Sequence, residues 1–197
     1  LFLRFDIKDK IKLQSCYNVA PGQDMPVIIN KGGSNTISVL KWGLIPSWAR
    51  DSEKFKHGLI NARIESLTEK PSFKNLLKAN RCLIPANGFY EWKKEGKKRT
   101  PYFIHLSNNE LLAFAGLYDG GTYTVITTAA KERVAGIHDR MPVILSKGIE
   151  QDWLKVENKD ALNILQRCLA NELITDRVSS EVNNTDFNIP EAIKSLE

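Results

Sequence analysis

Residues 111–128 have the sequence LLAFAGLYDGGTYTVITT, which predicts a β-hairpin at the centre of the fold. Its two apolar runs, Leu111–Tyr118 and Tyr123–Thr128, are rich in branched and aromatic residues, which favour strands. Gly120 and Gly121 lie between the runs and suit a tight turn. Similar short runs lie on both sides of this stretch. They predict further strands at Leu83–Trp92, Pro101–Leu106 and Pro142–Leu145.

These strands follow one another closely, so we expect an antiparallel meander, because a parallel pair needs a longer crossover. Helices are predicted at Ser72–Ala79 and, behind Pro190, at Ile189–Leu196. A third, amphipathic helix is predicted from apolar residues at helical spacing, namely Ala161, Ile164, Leu165, Cys168 and Leu169. No repeat or linker divides residues 1–197. The predicted fold class is therefore α+β, a single domain with an antiparallel, barrel-like β core flanked by short helices.

The composition is that of a globular protein, with 42% hydrophobic and 26% charged residues, which argues against disorder. The apolar runs are too short to cross a bilayer and no signal peptide is visible, so we expect a cytoplasmic protein. A net charge of +5 suits a polyanion, such as the DNA of the nucleoid, although a well-solvated surface explains it equally well. A cluster of lysines is interpreted as solvating a hairpin tip, at Lys93, Lys94, Lys97 and Lys98.

Neither the cysteines nor short motifs predict a metal or cofactor site. Cys16, Cys82 and Cys168 are odd in number and lack zinc spacing, so we expect no disulfide and no bound metal. Cys82 and Cys168 are predicted to lie in the core. No segment matches a Walker A loop, a dinucleotide fingerprint or a G-x-S-x-G motif. Nucleotide hydrolysis, hydride transfer and α/β-hydrolase chemistry lose support accordingly.

A rigid apolar loop is predicted at residues 42–48, WGLIPSW. Two tryptophans frame a glycine and a proline, and such a loop can stack on DNA bases or wedge between them. The alternative is that Trp42 and Trp48 are core residues.

Three polar segments carry the candidate catalytic residues. Asn61 offers a neutral donor and acceptor, and the planar fork of Arg63 suits phosphate, although a turn with a surface ion pair is the alternative. Glu91 lies among aromatic residues in a predicted buried strand, where desolvation raises the carboxyl pKa toward the range of a general acid. The alternative for Glu91 is a structural ion pair with an arginine. His138 lies in a polar turn before a strand, where catalytic groups are often displayed, and Arg140 beside it again suits phosphate. We expect Asn61, Glu91 and His138 to meet in one active site.

Taken together, these motifs resemble the SOS response-associated peptidase (SRAP) family. They occur in the family's order and run from about Tyr17 to Asn184. The matching segments are Tyr17–Gln23, Trp42–Trp48, Asn61–Glu65, Pro71–Phe73, Arg81–Trp92, Phe114–Tyr118, Thr127–Ala130, His138–Pro142 and Val182–Asn184.

The resemblance implies a protein that recognises abasic sites in single-stranded DNA and forms a covalent DNA–protein crosslink. A monomer is the simpler expectation, and we expect no cofactor, metal or membrane partner. In the family, the α-amine and thiol of an N-terminal cysteine condense with the sugar aldehyde to give a thiazolidine. Carried over by motif, Glu91 is the general acid and base, Asn61 orients the amine, and His138 assists proton transfer. The expected DNA contacts are Trp42, Pro46, Trp48, Arg63, Thr128, Arg140, Met141 and Pro142.

The opening residues depart from the family pattern. The family begins Met-Cys-Gly-Arg-Phe, whereas residues 1–5 here are LFLRF. If Arg4-Phe5 match the family's opening Arg-Phe, the cysteine has been lost. Alternatively, Phe2–Ile7 match a later family helix. The second alignment is favoured because the interval from Arg4 to Tyr17 is shorter than the family's interval between those two motifs. In the second case the nucleophilic cysteine is expected upstream of Leu1. Cys16 is internal and has no α-amine, so the chain as written is expected to bind single-stranded DNA without forming a thiazolidine.

Two other functions stay open at this level. One is a cysteine-dependent peptidase, the activity in the family's title, acting on its own N-terminus. The other is a noncovalent reader of single-stranded or modified DNA. A crosslinking assay distinguishes all three hypotheses.

Overall fold

The computed structural model describes residues 2–8, 11–49, 53–155, 160–167 and 172–196. Within these ranges ten strands form two sheets, with short helices around them. The strands are β1 Asp24–Lys31, β2 Ser34–Trp42, β3 Asn61–Arg63, β4 Arg81–Ala86, β5 Gly88–Glu95, β6 Lys98–Leu106, β7 Leu112–Asp119, β8 Thr122–Ala129, β9 Arg140–Pro142 and β10 Leu173–Arg177. The α-helices are α1 Pro71–Lys74, α2 Leu76–Ala79, α3 Glu132–Ala135, α4 Glu150–Leu154 and α5 Ala161–Gln166. Single 3-10 turns lie at Ser47–Ala49, Glu53–Phe55, Ile64–Ser66, Ser180–Asn183 and Pro190–Ile193.

The first sheet is built around the predicted hairpin. β7 and β8 pair antiparallel across a turn at Gly120, whose φ of 56° is a conformation that glycine adopts easily. The sheet has seven strands in the order β2-β1-β4-β7-β8-β3, with β9 also on β8. β2 pairs with β8 as well, Trp42 beside Tyr123, so the sheet curls back on itself. The predicted α+β class with a barrel-like core is confirmed.

Side chains alternate between the two faces of this sheet and fill two cores. On one face, Leu83 and Ile126 pack with Phe73 of α1 and Trp153 of α4. The opposite face packs against the second sheet, which has the order β10-β6-β5. Each fully buried Leu, Ile or Phe side chain stabilises the fold by about 1.5–3 kcal/mol. The residues that join the two sheets include Cys82, Ile84, Ile104, Leu106, Phe114 and Val125.

The predicted strand Leu83–Trp92 is two strands in different sheets. β4 belongs to the first sheet and β5 to the second, and Asn87 separates them. A Cβ at Gly88 would lie 2.4 Å from the ring of Phe103, so only glycine fits where the chain changes sheets. Continuous strand propensity hides this break. The change of sheet carries Glu91 onto the second sheet.

The β1–β2 hairpin and the strand β3 have no counterpart among the predicted strands. β2 and β3 both run parallel to β8, and neither of them belongs to the predicted antiparallel meander. The chain from β2 to β8 and the chain from β3 to β8 are both long enough for parallel pairing.

The helices are shorter than the sequence predicts. Ser72–Ala79 is divided into α1 and α2 at Asn75, and Ile189–Leu196 contains only one 3-10 turn. Phe2–Asp6 form turns instead of a helix, and Ile7 forms an isolated bridge with Asn35. The turns end at Asp6, whose φ of 51° lies outside the right-handed helical region.

The amphipathic pattern behind α5 is confirmed where the structure describes it. Ala161, Ile164 and Leu165 are buried, whereas Cys168 and Leu169 lie outside the described residues. Among the described helices, none has the length and apolar character to cross a membrane.

Candidate active site

Glu91 lies at the rim of the space between the two sheets. Its neighbour at the same phase of β5, Phe89, packs edge-on against Phe114 of β7, with ring centroids 5.8 Å apart. Because side chains two residues apart share a face of a strand, Glu91 also faces the first sheet. The Glu91 side chain is only 21% exposed. Burial therefore raises its pKa, as the sequence predicts, and outweighs the lowering effects of His138 and of a backbone hydrogen bond from Trp92.

His138 approaches Glu91 from the first sheet, on the opposite side of this space. It follows α3 and precedes β9, and its Nδ1 lies 3.8 Å from Glu91 Oε2 and 3.3 Å from Asp139 Oδ1. Nδ1 also lies 3.1 Å from both the backbone nitrogen and the carbonyl oxygen of Arg140, so the backbone of Arg140 holds the ring in place. The distance to Glu91 is longer than a hydrogen bond. Among the described residues, the charged partner of Glu91 is this histidine. The alternative partner, an arginine, is not observed there.

Asn61 faces the same space from β3. It pairs with Val125 of β8, whose side chain belongs to the core between the sheets. Paired residues present their side chains on one face, so Asn61 is directed toward the second sheet and is exposed at its edge. Within the described part of the chain, no hydrogen bond links Asn61 to Glu91 or His138. The structure thus brings Glu91 and His138 into contact and places Asn61 on the facing strand.

The two tryptophans of the apolar loop have different environments. Trp42 stacks on Tyr123 with centroids 6.5 Å apart, and its Nε1 donates to the carbonyl of Ile60 at 2.9 Å. Trp48 is 63% exposed and contacts Phe55 edge-on at 5.5 Å. Trp42 is therefore a half-buried anchor, and Trp48 offers an open ring face.

Two of the expected DNA contacts are buried. Pro46 and Met141 are both shielded from solvent, and Met141 packs in the core between the sheets because β9 is wedged beside β8. Their side chains therefore offer little surface to DNA, and their expected contacts with DNA stay a prediction. Thr128 and Pro142 are partly exposed. Thr128 also lines a groove of about 420 Å³, together with Ile64, Glu65, Thr68, Lys131, Leu162, Leu165 and Gln166.

Arg140 is held by a carboxylate on the neighbouring strand connection. Its two terminal nitrogens donate to Glu65 at 2.8 and 3.0 Å, and one also donates to the Thr127 carbonyl at 2.8 Å. The hydrogen bond from Arg140 lowers the pKa of Glu65 below its ordinary value. Arg63 is exposed and has no recorded ion pair with any described residue. Arg63 is therefore the more accessible cation of the two.

Of the two cysteines that the structure describes, Cys82 is a poor nucleophile. Cys82 is fully buried, and burial raises the pKa of its thiol far above the ordinary value. Cys16 is a partly buried free thiol, and Cys168 lies outside the described residues. The described residues also contain no cluster of three or more His, Cys, Asp or Glu able to hold a metal ion.

The sequence of this chain was compared with those of known protein families. A family model described as SOS response associated peptidase (SRAP) matches residues 3–185. The chain belongs to the SRAP family. The match covers β1 to β10 and both members of the Glu91–His138 pair, so the family expected from the motifs is confirmed.

Several known proteins are similar over most of this chain. Abasic site processing protein YoqW of Bacillus subtilis (strain 168) is 46% identical over 192 residues, which are 91% of this chain and 85% of YoqW. Abasic site processing protein HMCES of Xenopus tropicalis is 33% identical over 232 residues, covering 95% of this chain and 68% of that protein. A crystal structure of a protein from Bacteroides thetaiotaomicron superposes with a TM-score of 0.79 and 26% identity, covering 89% of this chain and 82% of that one.

Two residues around this candidate site were not singled out from the sequence. Glu65 ends the Asn61–Glu65 motif, but its partner Arg140 is 75 residues away. Tyr123 supports Trp42 by stacking, although its strand predicts only a core residue. The only sequence signal for Glu65 was its position two residues after Arg63, within the same motif.

Proposed function

We propose that this SRAP protein recognises abasic sites in single-stranded DNA and forms a covalent DNA–protein crosslink there. The observation that supports this most is the contact between Glu91 and His138, 3.8 Å apart at the rim between the sheets. A carboxyl with a raised pKa beside an imidazole is a pair suited to moving protons. The relatives named abasic site processing proteins point to the same substrate.

The proposed reaction needs only an amine, a thiol and proton transfer. In its open form the abasic sugar is an aldehyde. The amine adds to the aldehyde carbon and water leaves, giving an imine. The thiol then adds to the same carbon, and the proton from sulfur passes to nitrogen. The second bond closes a five-membered ring within one molecule, so it has a large effective concentration.

The chain's polar residues take distinct roles in this proposal. Protonated Glu91 donates to the ring oxygen of the sugar and helps it open, which its raised pKa favours. His138 stabilises the oxygen as charge develops and passes protons. Asn61, on the facing strand, orients the attacking amine.

We assign the amine and thiol to an N-terminal cysteine of the complete polypeptide. Among the described cysteines, Cys82 is buried with a raised pKa. Cys16 is internal, so its nitrogen is in a peptide bond and cannot form the imine. The reaction as proposed requires no metal, no cofactor and no group from a second chain, so we propose a monomer.

We propose that the DNA strand lies across the exposed residues around this pair. Trp48 supplies an open ring for base stacking, and Arg63 supplies an exposed charge for phosphate. Trp42, Thr128 and Pro142 line the approach. Arg140 donates to phosphate through the N–H groups that its pairing with Glu65 does not use. Arg140 also supports the loop that carries His138, because its backbone contacts the imidazole ring.

The experiment uses the protein made from its complete reading frame and a single-stranded oligonucleotide with one abasic site. We expect a shifted band on a denaturing gel and a mass increase on the N-terminal peptide. Cleavage of a model peptide without a shifted band would instead support the peptidase. Tight binding without a covalent band would support the noncovalent reader, and a shortened oligonucleotide would add lyase activity to the proposal.

A further inference from the structure

The hairpin that joins β5 and β6 carries a concentration of positive charge. Residues 93–99 have the sequence KKEGKKR, with five cations and one acid, and we call them the basic hairpin. All of its residues from Lys94 to Arg99 are exposed. The hairpin grows out of the strand that carries Glu91, so it extends from the proposed active site into solvent.

The charges of the basic hairpin are largely uncompensated. Lys93 pairs with Glu95 at 3.2 Å. No ion pair is recorded between the other four cations and any described residue. Lys94 lies directly opposite Arg99 across the hairpin, and like charges in that position destabilise a strand pair. A hairpin built for its own stability would place an acid at one of the two positions.

The charges also lie on both faces of the ribbon. Lys94 and Arg99 share one face, whereas Lys93 and Lys98 have the opposite phase, which is the phase of Glu91. At about 3.3 Å per residue, Lys94 lies about 10 Å from Glu91 along β5. A flexible single strand that leaves the site can follow the narrow ribbon and meet both faces, whereas one side of a rigid duplex cannot.

We propose that the basic hairpin binds the phosphates of the single-stranded DNA that flanks the lesion. The position of the lesion beside Glu91 rests on the proposed function. The charge of the hairpin supplies the partner's chemistry, because lysine and arginine gain by displacing the counterions condensed on phosphates. The contact is independent of base sequence and lies outside the pair that handles protons.

The test measures noncovalent binding to labelled single strands that contain one tetrahydrofuran abasic analogue, which cannot form a crosslink. One oligonucleotide has a single nucleotide on each side of the analogue, and the other has twelve. Lys94→Glu/Arg99→Glu should bind the long oligonucleotide about tenfold more weakly than the wild type in 50 mM KCl. Its slope of log Kd against log salt should fall by about 1.4, because each lost single-strand contact removes about 0.7. Binding of the short oligonucleotide should be unchanged.

A matched control removes the same charge from another layer. Lys74 and Lys78 are exposed on α1 and α2, which pack on the sheet face opposite the second sheet. Lys74→Glu/Lys78→Glu should change binding of the long oligonucleotide by less than about twofold. Equal weakening by both double variants would show an effect of net charge and overturn the proposal.

The single variant Lys94→Glu separates a structural role from DNA binding. It turns the repulsion with Arg99 into attraction, so its Tm should stay the same or rise while its affinity for the long oligonucleotide falls. A lower Tm with unchanged affinity would overturn the proposal. So would weakening confined to oligonucleotides with duplex flanks.

The outcome is separate from that of the crosslinking experiment. If the wild type forms no crosslink but the hairpin variants lose affinity for long strands, the proposed chemistry fails and the hairpin contact stands. If crosslinking occurs and the variants bind the long strand normally, only the hairpin proposal fails.

Discussion

His138 Nδ1 lies 3.8 Å from Glu91 Oε2, and this contact links the second sheet to the loop before β9 of the first. Glu91 reaches this point because the chain changes sheets at Asn87. The contact adjusts a carboxyl pKa that burial has already raised.

Glu91→Gln should slow crosslinking by about 10²–10⁴-fold, the usual contribution of a general acid or base. Binding of the tetrahydrofuran oligonucleotide should change little, because the amide keeps the size and polarity of the side chain. Rates from denaturing gels and affinities from fluorescence anisotropy test this. Glu69→Gln, at an exposed position, is the control. Parallel loss of rate and affinity in Glu91→Gln would demote Glu91 to a structural residue.

Glu91→Gln should also keep or increase the Tm at neutral pH. The folded-state pKa of Glu91 is raised, so its stabilising contribution is present below the ordinary glutamate pKa and is lost as pH rises through the folded-state pKa. Above the folded-state pKa of Glu91 the wild type therefore buries a charge that the amide lacks. Thermal unfolding at acidic and neutral pH should show a benefit that grows with pH, and a benefit confined to acid would contradict it.

His138→Gln and Asp139→Asn should move the pKa of Glu91 in opposite directions. The positive form of His138 lowers this pKa and the charge of Asp139 raises it, so removing the first raises it and removing the second lowers it. Crosslinking that needs protonated Glu91 should then lose rate at a higher pH in His138→Gln and at a lower pH in Asp139→Asn. The pH dependence of the rate measures both shifts, and shifts of the same sign would argue against Glu91 as the acid.

Trp48→Ala and Trp42→Ala should separate DNA binding from stability. Trp48 is 63% exposed, so its loss should weaken single-strand binding by about 1–3 kcal/mol, the contribution of one base–aromatic stack, with little change in Tm. Trp42 stacks on Tyr123 and donates to a carbonyl, so its loss should lower the free energy of unfolding by about 2 kcal/mol. Urea denaturation and anisotropy measure the two effects, and the reverse pattern would exchange the roles.

The pair of Arg140 and Glu65 should show a coupling free energy of about 1 kcal/mol in a double-mutant cycle at neutral pH. The pKa of Glu65 is lowered, so this stability is present above the ordinary glutamate pKa and is lost as pH falls through the lowered value. Urea denaturation of Arg140→Ala, Glu65→Ala and the double variant at several pH values measures it. The exposed pair of Lys147 and Glu110 is the control and should couple less strongly. Coupling that does not decrease in acid would contradict the ion pair.

The sequence by itself determined the local features of this protein. Alternating apolar runs around Gly120 determine the β7–β8 hairpin, because strand propensity and turn geometry act over a few neighbouring residues. The aromatic neighbours of Glu91 were enough to predict that burial raises its pKa. The order of the motifs, spread over nearly the whole chain, was enough to predict the SRAP family.

The tertiary structure decided which distant residues meet and which side chains reach solvent. The contact of Glu91 with His138 depends on the break at Asn87, and the pairing of Arg140 with Glu65 depends on how β3 and β9 lie beside β8. The burial of Met141 has the same origin, since a strand shows which residues alternate but not which face is covered. Such contacts join segments far apart in the chain, so they follow from strand register and sheet packing and not from local sequence preference.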